Sequence, residues 1–179
     1  MNATVDALNA TVDALRGKTF EDFTLGETLV SPGRTVEAAD INLFAGLTGD
    51  FYPLHVDEVA ASATRFGGRI AHGPLTFSIA MGLVGLSNFL GDAIVALLEV
   101  DRLRALKPVR PGDTVRVHVE VTACEDTSNP RHGTLHLEYS VRNQDDVEVM
   151  NFLTVMLARR REQPGGAGVS PGKGVSNGE

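Results

Sequence analysis

From Pro74 to Leu90 the chain has almost no polar side: Leu75, Phe77, Ile79, Met81, Leu83, Val84, Leu86, Phe89 and Leu90 are spread over nearly every face of a helix drawn through it. Such a helix is either buried in protein or immersed in lipid. At 17 residues, interrupted by Thr76, Ser78, Ser87 and Asn88, the stretch is too short for a convincing span, which takes roughly 20 residues. Everything after it reads as sheet. The segment is therefore expected to be the core helix of a protein that needs no membrane, and the rest of the chain must supply what covers it.

The strand signals that follow are separated by turns. Ile94 to Val100 is an apolar run interrupted once, at Glu99, and leading into Asp101-Arg102-Leu103-Arg104, and Pro108 to Asp113 breaks it. Val115, Val117, Val119 and Val121 alternate with polar residues, the period of a strand with one buried face. Leu135, Leu137, Tyr139 and Val141 repeat the pattern after the Ser128-Asn129-Pro130 turn. Val147 to Ala158 is apolar on both sides, which suits a central strand or contact with another subunit. His118 and His136 fall on the polar halves of their strands, and with no Cys/His ligand spacing around them no metal site is expected.

Ahead of the core helix, Thr35 is placed to cap a helix with Ala38, Ile41, Phe44 and Leu47 facing inward and Glu37 in its first turn. Asp57 is placed to cap a second, short helix through Thr64, which Phe66-Gly67-Gly68 stops. Arg65 and Arg69 near its end are expected to face water, with a substrate phosphate as the alternative. Gly17 to Gly33 reads as loop with short strands.

Length and composition suit one domain: 179 residues with 42% hydrophobic content bury one full core. The expected organisation is an N-terminal extension at 1–16, a single domain at 17–161 and a disordered tail at 162–179. The extension carries the tandem Asn-Ala-Thr-Val-Asp-Ala-Leu, whose Val5, Leu8, Val12 and Leu15 make a short helical stripe. It has neither the basic start nor the long apolar run of a signal peptide, so its Asn-x-Thr sequons are not expected to be glycosylated. The net charge of -7 argues against nucleic acid and anionic membrane as partners. Cys124 is the sole cysteine, which points to a reducing, cytoplasmic setting. No glycine-rich nucleotide motif occurs, so no cofactor is called for.

Most of the reactive chemistry lies between Thr48 and His55, Thr-Gly-Asp-Phe-Tyr-Pro-Leu-His. Gly49-Asp50 and Pro53 are turn-formers, which predicts an irregular loop able to aim Asp50 and His55 into one cleft. The residues alone leave a plainer reading open, in which Asp50 stabilises the turn and His55 packs. A second stretch, Ile70-Ala-His-Gly-Pro-Leu-Thr-Phe, adds weight to the first. Gly73-Pro74 marks a helix start, and the free amides of that first turn suit negative charge. An acid/base pair beside a glycine-lined helix N-terminus is what chemistry next to a carbonyl needs.

The run Phe44-Ala45-Gly46-Leu47-Thr48-Gly49-Asp50-Phe51-Tyr52-Pro53-Leu54-His55, then Ala60 and Ala61, then Ala71-His72-Gly73, resembles the signature of the MaoC-like (R)-specific enoyl-CoA hydratases. The resemblance extends from about Gly17 to Arg160. It implies an α+β hot-dog domain, a curved antiparallel sheet wrapped around one long apolar helix. It implies an acyl-CoA thioester substrate and a place in fatty-acid metabolism. Asp50 and His55 match the residues that bind and activate water, and Gly73 matches the glycine whose amide faces the thioester oxygen. Tyr52, Pro53 and His72 are expected beside the substrate, with loop orientation and simple packing as alternatives for His72. Tyr52 stands where the family usually has Asn. A serine or other small residue further along the helix often assists the Asp; Ser78 is nearby in sequence, with Met81 as the alternative occupant of that position, which would leave the role unfilled.

Two other functions share this scaffold: a hot-dog acyl-CoA thioesterase, and a non-catalytic partner subunit of a dehydratase complex. The Gly-Asp-x-x-Pro-x-His loop before the central helix favours hydration over the first, and retention of both acid and histidine argues against the second. A single small sheet leaves strand edges uncovered, so at least a homodimer is expected.

Overall fold

The computed structural model describes residues 17–161. Strands β1 (Thr28–Val30) and β2 (Arg34–Thr35) precede helices α1 (Ala38–Thr48), α2 (Pro53–Val56), α3 (Glu58–Ser62) and α4 (Gly73–Leu86). The long strands β3 (Ile94–Ala105), β4 (Thr114–Asp126), β5 (His132–Arg142) and β6 (Glu148–Arg159) follow. All pairings are antiparallel, in the order β1-β4-β5-β6-β3, with β2 also paired to β4. The sheet is not closed: β1 and β3 are its two edges. The expected helical extension at 1–16 and the expected disordered tail lie outside the described residues.

Strict alternation translates directly into burial. Val115, Val117, Val119 and Val121 of β4 and Leu135, Leu137, Tyr139 and Val141 of β5 are all buried on one face. In β6, central as its two-sided apolar pattern predicts, Met150, Phe152, Thr154, Met156 and Ala158 join that face. Leu153, Val155 and Leu157 are half-buried on the other. Against the inner face lies α4, whose Leu75, Ile79, Ala80, Leu83 and Val84 belong to the same apolar cluster. The Phe77 ring meets that of Phe152 edge-on at 4.9 Å. Each such side chain contributes roughly 1.5–3 kcal/mol by leaving water.

Several local expectations are corrected. The central helix stops at Leu86, because Asn88 turns to a positive φ of 57°, so Phe89 and Leu90 belong to a turn. Nor is that helix buried all round: Pro74, Ser78, Gly82, Gly85 and Leu86 are exposed. Thr35 lies in β2, its hydroxyl 2.8 Å from that of Thr114, and Glu37 is the N-cap of α1. Asp40 accepts the Glu37 N–H at 2.9 Å there. Ile41 and Ala45 are the buried positions of α1, one turn apart, whereas Leu47 in its last turn is 83% exposed. Asp57 does cap α3, its carboxylate accepting the Ala60 N–H at 3.0 Å, but that helix ends at Ser62.

The N-terminal segment is fastened to the sheet by Phe20, whose ring covers Gly133 of β5. A Cβ at Gly133 would fall 2.5 Å from that ring. Gly133→Ala is therefore expected to displace Phe20 and destabilise the fold by about 1–3 kcal/mol. Thermal unfolding of the variant checks this, and an unchanged midpoint would mean that Phe20 does not hold the segment down.

Candidate active site

Helix α1 ends where Gly49 adopts a left-handed φ of 78° and returns its N–H to Ala45 O at 2.8 Å. Glycine tolerates that conformation, and it throws the chain sharply off the helix axis. The next residue, Asp50, is exposed; its N–H meets Thr48 Oγ1 and its Oδ1 accepts the Tyr52 N–H, each at 3.3 Å. The turn-stabilising contact is thus present, and it occupies only one carboxylate oxygen.

His55 does not lie in an irregular loop. Pro53, with its φ already suited to a helix start, opens the single helical turn α2, in which His55 N–H donates to Tyr52 O at 2.9 Å. The half-buried His55 ring sets Nδ1 2.8 Å from Ile70 O. A carbonyl oxygen only accepts, so Nδ1 carries the hydrogen and Nε2 is left with its lone pair free.

His72 is the N-cap residue of α4 and is 1% exposed. Its Nε2 donates to Asp50 O at 3.0 Å, and its ring stacks on His55 with centroids 3.8 Å apart and 28° between planes. Its Nδ1 is buried without a hydrogen-bond partner. An unsatisfied buried acceptor costs about 1–3 kcal/mol.

Asp50, His55 and His72 each offer a donor atom, and these atoms lie within 4.8 Å of one another. Such a trio has the composition of a metal site, but not the geometry. An ion about 2.0–2.1 Å from a nitrogen of each imidazole needs the two ring planes to converge on it. Stacked rings present their nitrogens side by side, and Nε2 of His72 is already committed to a carbonyl.

Gly73 is the first residue of α4. Its N–H has no intrahelical acceptor, and Pro74 beside it has no N–H at all. Gly73, His55 and Thr76 line one side of a cavity of about 310 Å³, with Leu106, Lys107, Val149 and Met150 among the residues completing it. A Cβ at Gly73 would meet nothing within 4 Å, so the glycine keeps open space in front of its amide.

Other residues singled out in the sequence fall elsewhere. Tyr52 is 65% exposed and Pro53 is exposed; the Tyr52 ring meets His55 edge-on at 6.4 Å, and neither residue lines the cavity. Ser78 is on the exposed side of α4, its hydroxyl donating to Pro74 O at 2.8 Å, and Met81 packs on the core. The small hydroxyl residue that does reach the cavity is Thr76, buried and bonded to His72 O at 3.3 Å. Its position three residues after Gly73, on the same face of the first turn, is the signal that sequence reasoning passed over. Arg69 is half-buried and pairs at the surface with Glu58 at 3.0 Å, a contact that holds the Glu58 carboxyl below its ordinary range. Arg65 is exposed, lines the cavity and sets its guanidinium 4.9 Å from the Phe66 ring centroid.

Comparison with known proteins bears on the family and the fold. Residues 22–143 match the model of the MaoC like domain. Protein MaoC of Klebsiella aerogenes is 38% identical over 102 residues, 57% of this chain but only 30% of that protein's length. An (R)-specific enoyl-CoA hydratase of Rhodospirillum rubrum is 39% identical over 103 residues, 58% of this chain and 69% of the hydratase. Among solved structures, the MaoC-like dehydratase from Rhodospirillum rubrum superposes with a TM-score of 0.70 at 31% identity, covering 82% of this chain and 100% of that one. A double hot-dog protein of Mycobacterium tuberculosis is similar in fold, with a TM-score of 0.72 at 23% identity over 83% of this chain and 47% of that one. The family model spans well over half the chain, the fold is the hot dog, and the chain belongs to the MaoC-like domain family.

Proposed function

We propose that the protein is a hydro-lyase that reversibly adds water to an enoyl-CoA thioester to give the 3-hydroxyacyl-CoA. The observation that carries this reading is the His55 ring, pinned through Nδ1–H to Ile70 O and lining the same cavity as Gly73, with a carboxylate oxygen of Asp50 within 4.8 Å of one of its nitrogens. Hydration places a hydroxyl on the β-carbon and a proton on the α-carbon, with enolate charge passing through the thioester oxygen. A water held between Nε2 of His55 and an Asp50 oxygen loses one proton to the pair, and the pair returns one to the α-carbon, so the enzyme ends as it began. Gly73 N–H meets the thioester oxygen, and the N-terminal field of α4 adds to it as the enolate forms. Relatives named (R)-specific enoyl-CoA hydratase support an (R) configuration in the product.

The cavity, about 310 Å³, is near the lower end of the roughly 300–1,000 Å³ common for ligand pockets, which makes a short acyl chain the first substrate to try. A thioesterase would use the same cavity but would have no need of an acid and an imidazole flanking one water in front of the α- and β-carbons. As a second element of the proposal, the working unit is at least a homodimer. Among the described residues β3 pairs with β6 alone, and along it Val95, Leu97, Leu98, Val100 and Leu103 are exposed, an apolar edge that a second copy would cover.

Turnover of a short enoyl-CoA tests the chemistry. Asp50→Asn and His55→Ala should each slow it by roughly 100- to 10,000-fold, and the double variant should be little worse than the worse single one, because the two act on one water. Gly73→Ala should lower turnover by roughly 100-fold, the effect of displacing the substrate by about an ångström, without lowering the unfolding temperature. Near-normal turnover in either dyad variant returns both residues to the turn-and-packing reading. Separately, light scattering at micromolar concentration should give at least twice the 19.1 kDa of one chain; a monomer alone would remove the dimer claim.

A further inference from the structure

We propose that His72 is a positioning residue that locks the Asp50 turn and the His55 ring to the start of α4; the proposal rests on the reading of this site as a water-adding centre. One side chain touches all three parts. Its backbone begins α4 and so sets Gly73, its Nε2–H holds the Asp50 carbonyl at 3.0 Å, and its ring lies against His55 at 3.8 Å. On its other side is Phe44 of α1, with ring centroids 5.1 Å apart. The imidazole is thereby clamped between two rings with its one donor aimed at the turn.

Packing alone does not account for an imidazole here. An N-cap side chain ordinarily turns back to its own helix, yet that of His72 makes no capping bond. A phenyl ring would fill the same space between Phe44 and His55 and leave nothing unsatisfied, whereas the histidine leaves Nδ1 buried and unpartnered. What the imidazole adds over phenyl is the Nε2–H bond to Asp50 O. That bond crosses from the helix start to an exposed turn whose other bonds are all local: Gly49 N–H to Ala45 O at 2.8 Å, Phe51 N–H to Gly49 O at 3.1 Å, and the two 3.3 Å contacts of Thr48 and Asp50. Of Asp50, His55 and His72, only His55 lines the cavity, so any effect of His72 on the reaction passes through the Asp50 turn and the His55 ring that it touches.

Two substitutions separate the bond from the packing. His72→Phe keeps the stack and removes the donor; His72→Gln carries an amide N–H near the place of Nε2. With the full-length protein and a short enoyl-CoA, His72→Phe should lower kcat about 10- to 100-fold, the scale of a misplaced reacting group. KM should change little, and the unfolding temperature should hold or rise. His72→Gln should restore most of kcat. Amide hydrogen exchange should quicken across Gly49–Tyr52 in His72→Phe and stay near wild type in His72→Gln. The proposal is overturned if His72→Phe keeps wild-type kcat and exchange, or if both variants lose kcat together with stability, which is the mark of a packing residue. A wild-type protein inert toward enoyl-CoA would sink the hydratase reading, while the exchange pattern would still decide whether His72 holds the turn.

Discussion

Contact between α4 and the inward rows of β4, β5 and β6 is the constraint from which the rest of the structure follows. The sheet can bury its valine and leucine rows only against an apolar surface as long as its strands are wide, and α4 is the one helix of the described residues apolar enough to serve. Once it is seated, its N-terminus is fixed in space, and with it the first-turn amides that no carbonyl of the helix can satisfy. α1 and α2 meet that end through Phe44 and His55, both against the His72 ring. The site is therefore located by the core, and its chemistry is supplied by the short segments that must pass the helix start.

Backbone carbonyls do much of the aiming. Ile70 O takes Nδ1–H of His55 and Asp50 O takes Nε2–H of His72, so each imidazole has one hydrogen committed and one nitrogen bare. Only one of these bare nitrogens lies in a residue that lines the cavity, that of His55; the other is sealed beside Phe44. Two chemically identical side chains in contact are thus given different work by what their second nitrogen meets. Fixing the tautomer in advance removes a reorganisation step that a mobile imidazole would have to make during proton transfer.

The strands were legible in the sequence because period-two alternation over four or more positions has a single structural solution, as in Val115 to Val121. β6, apolar on both sides, lies inside the sheet, which is one of the two places that its pattern allowed. What could not be read were features decided by one torsion or one contact. The end of α4 depends on the positive φ of Asn88, and the cap of α1 passed from Thr35 to Glu37 because Thr35 was already paired across to Thr114. At the site, the Gly-Asp turn and the Gly-Pro helix start announced themselves through residues with restricted backbone choices. Thr76, Ser78 and Met81 lie on one apolar helix whose rotation against the sheet no local pattern specifies, so which of them reaches the cavity needed the fold.

The central claim is that this cavity adds water to a carbon–carbon double bond and leaves the thioester intact. Incubation of a short enoyl-CoA in water labelled with oxygen-18, followed by mass spectrometry of the products, tests it most directly. The account predicts a 3-hydroxyacyl-CoA carrying one heavy oxygen on the β-carbon, with the coenzyme still attached. A free carboxylic acid carrying the label, together with released coenzyme A, would contradict it and make the protein a thioesterase.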